Sequence, residues 1–374
     1  MRKFLFLTLY TIVALVCSPS RLQAQDIQPG DEQLRLNQIQ VIGTHNSYHL
    51  APLPKVMDVI AVSGADTARG IDYTHPPLAT QFSELGIRQI ELDLYADPDG
   101  GLYSSPAAWK ILGGPVEDER MKFDFAQVMQ RPGFKIIHAP GFDYATHVPT
   151  LEAALEQIVQ WSESNPDHLP ILVLLEMKDS VLPIAGVKPR PFDEPTLDNL
   201  DRVILETVPV HRRWIPDTIR GTHATLRDAV TRNGWPTLKE SKGKIFFALD
   251  NTNGIRDRYL ENHPALEGRA MFASVDADHP AAAWMKINNP IGEFDRIQSA
   301  VKQGFLVRTR ADADTRQARS GDTKMRDAAM ASGAQFISTD YPIRDERFTD
   351  YQVQWPSRAV YRRNPVAKPR ESKE

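Results

Sequence analysis

Cysteine is almost missing from this chain of 374 residues: Cys17 is the only one. It lies in an N-terminal stretch that reads as a removable leader, so the remaining chain carries no thiol. That excludes disulfides, a catalytic thiolate, and zinc or iron–sulfur clusters held by thiolates. Long apolar runs are also missing after Cys17, and no later segment approaches the ~20 residues a spanning helix needs. No Gly-x-Gly-x-x-Gly follows the first strand pattern, which argues against a dinucleotide-binding open sheet. There is no internal repeat and no linker separating two domains. A basic excess is absent as well. Without Arg2, Lys3 and Arg21 the 44 Lys and Arg fall to 41 against 48 Asp and Glu, a net charge of −7. Nucleic-acid binders carry a basic face, so nucleic acid is not an expected partner.

What is present begins with the leader. Arg2 and Lys3 precede an apolar run over residues 4–17, then polar residues and Ala24. This is the basic, apolar and cleavage-site order of a signal peptide over 1–24. Leu22 is large for the position three before cleavage, and Val16 is bulky for a site that would lipidate Cys17. The expectation is export, to the periplasm or outside the cell. Residues 25–37 read as a polar lead-in and 351–374 as a basic tail, carrying Arg358, Arg362, Arg363, Lys368 and Arg370. Between them, 38–350 reads as one catalytic domain, expected to be monomeric.

Within that domain, apolar runs alternate with helical patterns. Strands are expected at 40–44, 87–95, 134–138, 171–177, 244–249, 271–275, 305–309 and 335–338, while 283–287 is strand-like but has no place in the count. Runs such as Ile-Leu-Val-Leu-Leu (171–175) and Ile-Phe-Phe-Ala-Leu (245–249) are apolar on both faces, the habit of parallel strands covered by helices. Thr150 is placed to cap a helix whose stripe is Leu151, Leu155, Ile158 and Trp161. Helices are expected at 197–207, 225–232, 291–303 and 322–332 too. Eight strands alternating with helices predict an α/β fold of the (β/α)8 TIM-barrel type, with an open doubly wound sheet as the other possibility. The loop 96–130 is long enough to have a functional role.

Polar residues gather at the strand ends. His45 and Asn46 end the first, Glu91 and Asp93 lie late in the second, and His138 ends the third. Glu176 and Lys178 follow the fourth, Asp250 and Asn251 the fifth, and Asp276 the sixth. Arg308 and Arg310 close the seventh, and Asp340 and Tyr341 follow the eighth. In a barrel these ends open on one face, where active sites are built. Glu91 and Asp93 are two positions apart, so both point to one side of the strand, roughly 7 Å apart along it. If buried, they must share a proton, meet basic groups or hold a cation. Asn46, Glu91, Asp93 and Glu176 offer only oxygen, which suits a hard cation, Ca2+ better than Mg2+. A carboxylate network neutralised by Lys178 and the arginines fits the same residues. His45 and His138 form a second group, able to act as acid and base or to stabilise phosphoryl charge. The remaining histidines receive no chemistry from the sequence.

Gly43-Thr44-His45-Asn46-Ser47-Tyr48, Ile90-Glu91-Leu92-Asp93, Ile137-His138 and Leu175-Glu176-Met177-Lys178 resemble, in this order and spacing, the calcium-dependent phosphoinositide-specific phospholipase C family in its compact exported bacterial form. The resemblance runs from about Gln38 to Ser338-Thr339-Asp340-Tyr341-Pro342. It implies a barrel hydrolase that cleaves phosphatidylinositol-type phosphodiesters by attack of the inositol 2-hydroxyl, giving diacylglycerol and a cyclic inositol phosphate. It implies His45 and His138 as the catalytic pair, with His138 the acid and His45 on the phosphoryl oxygen. It implies Asn46, Glu91, Asp93 and Glu176 as ligands of one Ca2+. Lys178, Arg308 and Arg310 are expected on the substrate phosphate, and Tyr341 stacked on its ring. The partner is a phosphoinositide, met by transient contact with a membrane surface. Related glycerophosphodiester phosphodiesterases share Glu-x-Asp but usually open with His-Arg-Gly, so a phosphodiesterase acting on soluble diesters is the alternative. A non-enzymatic calcium- or ligand-binding barrel is a further one.

Overall fold

A computed structural model of the chain describes residues 27–182, 186–252 and 254–367; the expected leader and Cys17 lie outside them. The strands are β1 (Ile39–Thr44), β2 (Gln89–Asp97), β3 (Gly133–Ile136), β4 (Ile171–Met177), β5 (Arg213–Trp214), β6 (Ile245–Leu249), β7 (Met271–Ala273), β8 (Trp284–Lys286), β9 (Leu306–Arg310), β10 (Phe336–Thr339) and β11 (Tyr361–Arg363). Parallel ladders run from β7 through β6, β4, β2, β1, β10 and β9 to β8. A parallel bridge between Ser274 and Trp284 brings β7 to β8, and Lys286 N donates to Ser274 Oγ at 2.9 Å. Eight parallel strands thus curl into a TIM-type barrel, irregular at this last seam.

The apolar runs explain the centre. Every residue of β6 and all but Glu176 of β4 are buried, because helices cover the outer face and side chains fill the inner one. Thr150 accepts a hydrogen bond from Ala153 N and starts the helix Leu151–Ser164, which buries Leu151, Leu155 and Ile158 against the sheet. Gly304, at φ 101°, ends the helix Phe294–Gln303 in the left-handed conformation that glycine adopts without strain. Gly43 is demanded by crowding instead: a Cβ there would overlap the Gln89 side chain, which crosses from β2 and donates to Thr44 O at 3.0 Å.

Two strand expectations are corrected. The run 134–138 is not a barrel strand. β2 is nine residues long and rises past the barrel mouth, and β3 pairs antiparallel with its upper half, Leu94 opposite Ile136 and Asp97 opposite Gly133. The count of eight is completed instead by the unplaced 283–287 segment, whose core is β8, lying between β7 and β9. The expected ends are also part of the fold. Ile27 and Leu36 are buried, Tyr361 donates to Asp31 Oδ2 at 2.7 Å, and β11 pairs antiparallel with β1. Tyr351, Val353 and Trp355 are buried too, so the domain extends on both sides of 38–350.

Above the mouth lies a second apolar cluster built by α1 (Pro54–Ser63), α2 (Ala65–Gly70) and the long 96–130 connection. That connection contains two short helices, Ala108–Leu112 and Phe125–Met129. Trp109 Nε1 donates to Tyr144 Oη at 3.1 Å, and Phe125 meets the Tyr144 ring edge-on at 5.1 Å. The long connection thereby anchors the turn that follows β3.

Candidate active site

The barrel register sorts charge across the mouth. Asp93 on β2 is paired with Glu176 on β4, and Glu91, two positions earlier, shares its face. On the opposite wall Lys286 of β8 is in register with Arg308 of β9. An acidic side thus faces a basic side, and ion pairs cross the barrel. Arg308 Nη2 lies 2.5 Å from Glu91 Oε2, and Lys286 Nζ pairs with Asp250 Oδ2. Lys178 Nζ lies 2.9 Å from Glu176 Oε2 and 3.1 Å from Asp93 Oδ2. Burial pushes Glu91 and Glu176 upward from the ordinary carboxylate value, while Arg308 and Lys178 respectively pull them back.

His45 closes the turn out of β1. Asn46 takes φ 45°, a left-handed conformation that asparagine tolerates better than most residues. His45 Nδ1 is 2.7 Å from Asp340 Oδ1, and Nε2 is 3.7 Å from Glu91 Oε1. Arg310 Nη2 reaches Asp340 Oδ2 at 3.2 Å, and its charge favours the acceptor carboxylate against the burial that raises the Asp340 pKa. The Nδ1 proton is therefore donated to Asp340, and Nε2 carries the lone pair. Burial drives His45 well below its ordinary pKa, and the charges of Arg310 and Arg308 add to the effect.

His138 is held in the opposite sense. The chain turns back at Ala139 and Asp143, whose backbones exchange hydrogen bonds of 2.9 and 3.1 Å. This brings Asp143 Oδ2 to 2.6 Å from His138 Nδ1. Burial opposes the charged ring, but the bond to Asp143 and its negative charge outweigh it, and the pKa rises above 6.5. Asp143 also holds His49, whose Nε2 is 2.9 Å from Oδ1 and whose Nδ1 is 3.0 Å from Tyr73 O. His75 Nε2 lies 2.8 Å from His45 O; burial lowers its pKa to about 4, so the neutral ring serves as a backbone donor.

His45, Asn46, Tyr73, His138, Arg310 and Asp340 line one open cleft of about 330 Å³. Its other wall comes from α2 and the loop after β9. The structure thus brings together His45, His138, Asn46 and Arg310, with Glu91 under His45. Lys178 is tied to the carboxylates, and Arg308 is buried on Glu91, Asn288 and Ser338. Neither faces the cleft as a free phosphate ligand. Tyr341 does not face it either: its ring packs against Phe348 and Tyr351 in the core. The sequence missed Asp143, His49, Tyr73 and Lys286 as site neighbours, and gave Asp340 and Asp250 only a place at a strand end. The turn that returns Asp143 to His138 has no signature beyond Gly141.

The donor chemistry fits a hard cation. Asn46 Oδ1 and Asp250 Oδ1 are buried without a hydrogen-bond partner, as are both Asp93 oxygens, with the Lys178 ammonium 3.1 Å from Asp93 Oδ2. Glu91, Glu176 and Asp250 offer oxygens within 4.8 Å of one another. Such a set, all oxygen and rich in carboxylate, suits Ca2+.

A parallel barrel with a histidine pair and a carboxylate cluster at the strand C-termini is an arrangement that hydrolases use. The family model for Ca2+-dependent phosphoinositide phospholipase C matches residues 34–365, and the chain belongs to that family. It is a phosphodiesterase. Among solved structures, a calcium-dependent phosphoinositol-specific phospholipase C from a Pseudomonas species is 15% identical with a TM-score of 0.52, over 91% of this chain and 98% of that one. Its myo-inositol complex gives 15% and 0.53 over the same shares. The calcium-dependent enzyme of Streptomyces antibioticus is 15% identical with a TM-score of 0.50, over 82% of this chain and 95% of that one. At these identities the likeness is one of fold. No curated protein sequence matches the chain.

Proposed function

We propose that the protein is a calcium-dependent phospholipase C that cleaves phosphatidylinositol-type diesters through attack of the inositol 2-hydroxyl. The observation that carries this reading is the opposed bias of two aspartate-held histidines on one cleft. His45 presents a lone pair and is kept neutral, so it takes the 2-hydroxyl proton at Nε2. His138 is held protonated by Asp143 and gives its Nε2 proton to the leaving glycerol oxygen. Groups whose surroundings push their pKa values apart divide the acid and base work in this way. The new O2–P bond forms as the P–O bond to glycerol breaks, giving diacylglycerol and a cyclic inositol phosphate. This reading gives His45 the role of base, where the resemblance implies a place on the phosphoryl oxygen.

Asn46, Glu91, Asp93 and Glu176 would hold one Ca2+. Bound there, the ion would offset phosphoryl charge and acidify the attacking hydroxyl. Arg310, pinned by Asp340 at the cleft wall, orients the diester through its remaining donors. The substrate lies in a membrane, so contact with the lipid surface is transient. The Arg2–Lys3 and apolar leader pattern supports export, which detection of the mature chain in periplasm or medium would test.

The reading is tested by incubating the protein with phosphatidylinositol vesicles, with and without a calcium chelator. Calcium-dependent release of diacylglycerol is expected. Release of glycerol phosphate from soluble diesters, with no turnover of any inositol lipid, would overturn it.

A further inference from the structure

Three carboxylates at the mouth share one pattern. Glu91 Oε2 accepts from Arg308 at 2.5 Å, Glu176 Oε2 accepts from Lys178 at 2.9 Å, and Asp250 Oδ2 accepts from Lys286. In each case one oxygen is tethered by a basic side chain, and the three residues bring oxygens within 4.8 Å of one another. The backbone explains the meeting. Asp93 and Glu176 are register partners, Leu175 pairs with Leu249, and Asp250 N donates to Leu175 O at 2.9 Å. Asp93, Glu176 and Asp250 therefore form a row across β2, β4 and the end of β6, on one face of the sheet.

We propose that Asp250 is a further protein ligand of the cation, with Lys286 as the group that orients it. This rests on the calcium reading above and extends its ligand set by one residue that neither the family motifs nor the spacing of Glu-x-Asp supplies. Asp250 is 1% exposed, and its Oδ1 is buried with no hydrogen-bond partner. A carboxylate kept only to neutralise Lys286 has no need of an orphaned second oxygen, because buried polar atoms are almost always paired. Ligating carboxylates, by contrast, are typically held by hydrogen bonds on one oxygen, leaving the other for the metal.

The charges agree. Glu91, Asp93, Glu176 and Asp250 stand against Arg308, Lys178 and Lys286. With all of them ionised the site carries −1, so a divalent cation takes it to +1 and one phosphodiester anion returns it to zero. Cation and substrate then assist each other's binding, and any such coupling is reciprocal.

The test is Ca2+ titration by calorimetry, with no substrate present, on the wild type, Asp250→Asn, and the double variant Asp250→Asn/Lys286→Met. The double variant removes the ion pair without leaving a buried lone charge, so it retains the fold if the single variant does not; melting in chelator checks both. A ligand role predicts that Ca2+ affinity falls about tenfold or more in the double variant, since even outer-shell partners command that range. Affinity within twofold of the wild type in the double variant would overturn the Asp250 assignment and leave the calcium reading intact. A wild type that binds no Ca2+ would overturn both.

Discussion

His138 Nδ1 lies 2.6 Å from Asp143 Oδ2, and this contact decides which nitrogen faces the cleft and whether it carries a proton. Asp143 keeps the ring charged against the cost of burial, holding its pKa above 6.5. A general acid must be protonated to act, so the rate should persist past pH 6.5 and fall as pH rises through the shifted value. By linkage the pair also stabilises the fold below the unfolded histidine value, and that contribution fades as pH rises through the folded one. Asp143→Asn removes the opposing charge, so burial lowers the pKa and the alkaline limb of kcat/KM moves to lower pH. At neutral pH kcat should fall about 10²–10⁴-fold, the usual worth of positioned acid catalysis. An unmoved alkaline limb in the variant would remove His138 as the acid.

The two histidines should fail in distinguishable ways. His45→Ala and His138→Ala are each expected to lose on the order of 10²–10⁴ in kcat while keeping the far-ultraviolet circular dichroism of the wild type. A substrate with a better leaving group needs less help from an acid. It should rescue His138→Ala and leave His45→Ala slow; equal rescue of both would contradict the division of labour.

Asp93 separates cation binding from proton transfer. Its carboxylate has the Lys178 charge beside it but no well-formed hydrogen bond. Asp93→Asn should weaken Ca2+ affinity together with the rate, and excess Ca2+ should recover part of the loss. A slower enzyme with unchanged calorimetric affinity would make Asp93 a base instead of a ligand.

Gly43 offers a check on the fold alone. Any Cβ there meets the Gln89 side chain, which bonds Thr44 O and holds β1 against β2. Gly43→Ala should cost about 1–3 kcal/mol, the usual range for overpacking. Gln89→Ala makes room but forfeits the bond, so Gly43→Ala should cost less in that background. Chemical denaturation of the four proteins gives the coupling.

The barrel was legible because its central strands are apolar on both faces, as at 171–175 and 245–249, and because polar groups follow the strand ends. Register was not legible, and register is what sets Asp93 beside Glu176 and Lys286 beside Arg308. The run 134–138 has the composition of a barrel strand. It misleads because β2 outgrows the barrel, and its free upper edge recruits an antiparallel partner. β8 was strand-like in the sequence but could not be placed, because its regular part is only three residues long, Trp284–Lys286. The basic composition near the C-terminus hid Tyr351, Val353, Trp355 and Tyr361, whose burial seats β11 on β1. Of the site, His45, His138 and the Glu-x-Asp pair were visible as motifs. Asp143 and His49 were not, since an aspartate five residues past a histidine, or a histidine four past another, means nothing until the chain turns back on itself. Tyr341 misled because it sits beside Asp340, yet its side chain points to Phe348 and Tyr351 instead of the cleft.

The central claim is that a calcium-dependent site uses the substrate's own 2-hydroxyl. A phosphorus NMR time course on phosphatidylinositol, with and without a chelator, tests it most directly. A cyclic inositol phosphate resonance is expected to grow only when Ca2+ is available. Turnover that ignores the chelator, or an acyclic phosphate that appears first with no cyclic precursor, would contradict it.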